Sequence, residues 1–154
     1  MALPRSILSL LLVIVTTFLV SCGGPTVATP PPTYTQAQLE RIQQYLTQIT
    51  PVRDRADELQ TLIQEKDWIK VSNFIHGPMG EARLAMTYIT PNLLPKDQKA
   101  ARSTTRELFD HLVKVYQAAA EGNSQKAYSN YKAAYADLDA FLQLMPKPSP
   151  ESEA

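Results

Sequence analysis

Two histidines, their acidic neighbours, one cysteine and one basic row are the groups in this 154-residue chain whose type and spacing suggest chemistry. Glu107 and His111 are four residues apart, with Asp110 beside them, so a helix would place all three near one surface. Two or three ligands leave a tetrahedral shell unclosed, and the ordinary reading is a solvated helix face. A di-iron bundle needs inward Glu-x-x-His pairs, and no such pair occurs. No metal site is expected. One cysteine excludes an intramolecular disulfide, a CxxC metal knuckle and a CxxCH haem attachment. No nucleophile, base and orienter are marked by spacing, so no catalytic residue is expected either.

Lys96, Lys99, Arg102 and Arg106 recur at intervals of three, three and four, which puts them on one helix face. Asp97 lies off that row and Glu107 adjoins its end. Such a row is either a solvated face or a surface that docks on an acidic partner. These four residues are the candidate docking set.

Cys22 stands directly after the run Leu19-Val20-Ser21. Before it come Arg5 and the apolar stretch ILSLLLVIVTTFLV at 7–20. Charge followed by a short apolar core is the layout of a secretory signal. The stretch is shorter than the roughly 20 residues that span a bilayer. With small residues leading into a thiol, it resembles a bacterial lipobox, whose cysteine sulfur forms a thioether to diacylglycerol. Cys22 is therefore the expected lipidation site and first mature residue. Residues 1–21 are the signal and 22–33, with three consecutive prolines, a stiff lipidated tether.

The elements that would position these groups are helices. The chain has only five glycines, three of them after residue 24, while its twelve prolines gather near the ends. A glycine-poor middle between proline-rich ends favours long helices over a turn-rich β fold. Charge is balanced at 15 basic against 15 acidic residues, which removes the basic excess expected of a nucleic-acid binder. Four apolar stripes follow. The first runs from Leu39 to Ile63 with a capping box at Thr35 and Gln38, a staple of Tyr34 on Leu39, and a kink at Pro51. The stripe is unbroken there, so one bent helix is expected.

Asp67 is the expected cap of a second helix striped from Trp68 to Ile89, weakened at His76-Gly77-Pro78-Met79-Gly80. TPNLLP at 90–95 turns the chain. A third helix extends from about Lys96 to Glu121, with Gly122 past its end. A fourth, capped by Asn123 or Ser124, ends at Pro146. Alternating steps of three and four with short links predict an up-down-up-down four-helix bundle over 34–145 and a polar, disordered tail over 146–154. Within it, Trp68 reads as a core anchor, His76 as a polar residue at a kink, and Tyr128, Tyr131 and Tyr135 as core and rim. Glu65-Lys66-Asp67-Trp68 and the start of EGNSQKAYSNYKAA at 121–134 both hint at a tetratricopeptide unit, but a third copy is missing.

The order of several further residues resembles the PsbQ family, the extrinsic proteins of photosystem II, in its cyanobacterial lipoprotein form. They are Asp67-Trp68, Arg83 and Tyr88, Pro95-Lys96-Asp97-Gln98-Lys99, Glu107-Leu108-Phe109, and Tyr128 with Tyr131. The resemblance implies an all-α, non-catalytic bundle on the lumenal side of the thylakoid membrane, partnered by photosystem II subunits and anchored by lipid. It also implies a role in stabilising the oxygen-evolving complex and its calcium and chloride supply. No D-x-[DN]-x-[DN]-G calcium loop occurs, so that role is expected to be indirect. Plant members carry a different N-terminal arm, and its contacts do not transfer to the short tether here. The competing reading is a lipid-tethered periplasmic bundle that binds a small ligand or a metal.

Overall fold

A computed structural model describes residues 32–147. Cys22, the expected signal and most of the expected tether and tail lie outside them. Among the described residues the regular structure is entirely helical.

The first limb comprises α1 (Gln36–Asp54) and α2 (Ala56–Gln64). Its capping box forms as expected: the Gln38 amide donates to Thr35 Oγ1 at 3.3 Å, and the Thr35 amide donates to Gln38 Oε1 at 2.9 Å. Tyr34 packs on the core, and its hydroxyl accepts from the Leu94 amide at 3.5 Å. The limb is not one bent helix. Pro51 sits inside α1, and the ladder breaks four residues later at Arg55, whose ψ of 19° leaves the helical well. Two tyrosine hydroxyls from the last helix meet the break. Tyr135 donates to the Val52 carbonyl at 3.3 Å and Tyr131 to the Ala56 carbonyl at 3.0 Å. Tertiary partners thus satisfy the carbonyls where the helix yields.

The second limb runs through α3 (Trp68–Phe74), a π turn at Ile75–Met79 and α4 (Gly80–Ile89). The π turn falls on the segment that two glycines and a proline weaken. Pro78 has no N–H to give an α ladder, and the wider turn absorbs the missing bond. A 3₁₀ turn at Thr90–Asn92 reverses the chain into α5 (Pro95–Ala120), which begins on proline, the residue whose missing N–H costs least there. α6 (Ser124–Leu142) follows.

The links before α3 and α6 share one design of hydrogen bonds. The Lys66 and Gly122 amides donate to Ile63 and Ala119, and the next amides, of Asp67 and Asn123, reach back to Leu62 and Ala118. Lys66 and Gly122 both hold a left-handed φ, at 61° and 66°. This is a Schellman ending followed at once by an N-cap: Asp67 accepts from the Lys70 amide and Asn123 from that of Lys126. The tetratricopeptide hint therefore reflects repeated turn chemistry within a bundle.

The four limbs alternate in direction, with α5 along α6, α1 against α4, and α2 against α6. The stripes meet in one core. Ile42, Ile49, Leu59, Val71, Ala85, Ile89, Leu108, Val115, Leu138 and Phe141 are fully buried. Phe74, Met79, Met86 and Ala118 join them from positions outside the simple stripes.

Candidate docking surface

Lys96, Lys99, Arg102 and Arg106 all lie exposed on α5. Among the described residues none of them is in an ion pair; Arg102 reaches only the Gln98 side-chain oxygen, at 3.5 Å. The guanidinium groups near the α1–α2 break differ. Arg53 is bonded to Asp139 at 3.0 Å and Arg55 to Glu58 at 2.7 Å. The hydrogen bond from Arg55 holds the Glu58 carboxyl below its usual range. Charge is internally compensated there and left unmatched along α5, which leaves a cationic row able to attract an acidic surface.

The candidate metal ligands do not assemble around Glu107. His111 turns to α6, its Nδ1 2.7 Å from Asp137 Oδ2, while Glu107 accepts from Ser103 at 2.9 Å. Both members of the His111–Asp137 pair are largely shielded, so this contact ties α5 to α6. Asp137 could not be paired with His111 by local spacing, because the two are 26 residues apart. Among the described residues no three His, Cys, Asp or Glu side chains converge.

Other singled-out residues fall on the second and third limbs. Trp68 is half-buried and packs against the core. His76 is exposed on the π turn and meets the edge of Tyr116, ring centroids 5.4 Å apart. Arg83 lays its guanidinium over Phe109 at 4.1 Å. Phe109 is 41% and Tyr116 46% exposed. Their spacing of seven residues, off the core stripe of α5, was the available signal for a second apolar face. Of the tyrosines on α6, Tyr131 and Tyr135 are core and Tyr128 is rim. Burial raises the Tyr135 hydroxyl far above its usual pKa, and that of Tyr131 by less.

The architecture defines the class first: an all-α, up-down-up-down four-helix bundle. The PsbQ profile, described as oxygen evolving enhancer protein 3, matches residues 4–146, and the chain belongs to that family. It is 42% identical to CyanoQ of Synechocystis sp. (strain PCC 6803) over 146 residues, covering 94% of this chain and 97% of that protein. Membership makes it a non-catalytic extrinsic subunit of photosystem II.

Proposed function

We propose that this subunit is anchored by lipid at Cys22 on the lumenal side of the thylakoid membrane and docks on photosystem II through Lys96, Lys99, Arg102 and Arg106. The uncompensated cationic row carries the docking reading. Among the described residues no helix is long and apolar enough to cross a membrane. A lipid on Cys22 supplies attachment by other means, since each buried CH₂ contributes about 0.8 kcal/mol. Tethering holds the bundle at high effective concentration, so a modest protein contact suffices for occupancy.

In this account the docked bundle stabilises the oxygen-evolving complex by covering it, which slows loss of its calcium and chloride. The ions stay with the complex, and the bundle contributes position and shielding.

Mass spectrometry of the native protein and lysine cross-linking of purified photosystem II test both halves. The expected results are a diacylated Cys22 and cross-links from Lys96 or Lys99 to photosystem II subunits. An unmodified Cys22 would remove the anchor. Cross-links confined to lysines elsewhere, such as Lys132, would remove the docking face.

A further inference from the structure

The groove between the second and third limbs carries the docking reading further, to the chemistry of what is bound. Three depressions lie along this seam. The central one, about 260 Å³, lies between Met79 and Arg83 on one side and Phe109 and Tyr116 on the other. Tyr116 also borders a second depression toward Trp68 and Ile69. One turn the other way, Thr87 and Arg102 border a third. The three follow one another along a single track.

Among the described residues, none that lines them is a carboxylate. Arg83 and Arg102 stand on opposite walls, and neither is in an ion pair among the described residues. The stack on Phe109 holds the Arg83 guanidinium in place while its N–H donors stay uncommitted to an acid. Beside Arg83, and running away from Arg102, lies large apolar surface left in water: Phe109, Tyr116 and, at the far end, Ile69 at 77% exposure. A preordered arginine beside aromatic side chains is the composition of an interface hot spot. Gly80, the first residue of α4, leaves the floor of the central depression open: a Cβ there would meet nothing closer than the Ile75 oxygen at 3.8 Å.

We infer that this seam receives an acidic segment of a photosystem II subunit, with an apolar side chain entering between Arg83, Phe109 and Tyr116 and carboxylates meeting Arg83 and Arg102. The inference rests on the docking reading and adds the partner's chemistry. Charge complementarity selects the occupant, because among the described residues the groove's cations have no acid of their own.

The test expresses full-length variants in a strain lacking the native gene and measures the amount retained on purified photosystem II across a salt series. Circular dichroism confirms that each variant is folded. Gly80→Leu fills the groove while removing no side chain, and Phe109→Ala with Tyr116→Ala empties the apolar part. Both should lower retention at least tenfold at every salt concentration. Arg83→Gln with Arg102→Gln should lower retention and flatten its salt dependence. Wild-type retention of all three variants, with the wild-type protein itself retained, overturns the seam and leaves docking elsewhere intact. Failure of the wild-type protein to co-purify at all overturns the docking reading and this inference with it. Sedimentation of the purified chain gives the last outcome: a dimer that Gly80→Leu dissociates would make the occupant a second copy and overturn the acidic partner.

Discussion

The Tyr135 hydroxyl donates to the Val52 carbonyl at 3.3 Å, across 83 residues of chain. Val52 also accepts from the Arg55 amide at 3.2 Å, so its carbonyl serves a tightened last turn and a tyrosine together. Tyr131 does the same service for Ala56 one turn on, and the two rings lie 5.0 Å apart. The fourth limb thereby caps an interruption in the first. The break lies at exposed Arg55, and the tyrosines satisfy the carbonyls on its core-facing side, buried at Val52 and part-buried at Ala56.

Tyr135→Phe keeps the ring and deletes that bond. It should lower stability by about 0.5–1.5 kcal/mol near neutral pH, the net contribution of one hydrogen bond. The alkaline limb gives a second readout. Burial raises the Tyr135 pKa in the folded state above its ordinary 10.0. Above that pH the unfolded chain releases the proton while the folded chain keeps it, so stability falls as pH rises. The loss is about 1.4 kcal/mol per pH unit, and the variant should lack this component. Urea titrations between neutral pH and pH 11 check both; an unchanged alkaline slope in the variant would contradict the burial account.

Lys66 and Gly122 occupy equivalent left-handed positions in two Schellman turns, but only one of them is glycine. Lys66→Gly should raise stability by up to about 1 kcal/mol, because a side chain at positive φ is strained. Gly122→Ala should lower it by a similar amount, although a Cβ there meets nothing within 4 Å. Opposite shifts in thermal midpoint are the expected pair of results. Equal signs would mean that backbone strain does not govern these turns.

Phe141 is fully buried in the core, whereas Leu84 on α4 is 53% exposed. Phe141→Ala should cost about 3–5 kcal/mol through lost transfer energy and a residual cavity. Leu84→Ala should stay within about 0.5 kcal/mol. Chemical denaturation separates them, and a large loss at Leu84 would contradict its exposed placement.

Legibility of the fold in the sequence followed how local each signal was. The capping box at Thr35, the cap at Asp67, the end at Gly122 and the weak point at Pro78 each depend on residues within a few positions, and each produced the expected local feature. Pro51 identified strain in the first limb but not its location. The break sits at Arg55, where Tyr131 and Tyr135 arrive from far along the chain. Phe74, Met79 and Met86 were missed because the second limb buries a wider arc than one stripe: Phe74 is buried beside Ile75 and Met86 beside Ala85. The surface was legible only as far as the basic row on α5. His111 with Asp137, and Arg83 with Phe109, join different limbs, so neither pairing has a spacing to read.

In the proposed function a docked bundle helps the oxygen-evolving complex keep its ions. Oxygen evolution by membranes with and without this protein, compared in complete medium and in medium depleted of calcium or chloride, tests it most directly. Without the protein, activity should fall clearly under depletion and recover when the ion or the lipidated protein is added back. Equal rates in depleted medium, with and without the protein, would contradict it.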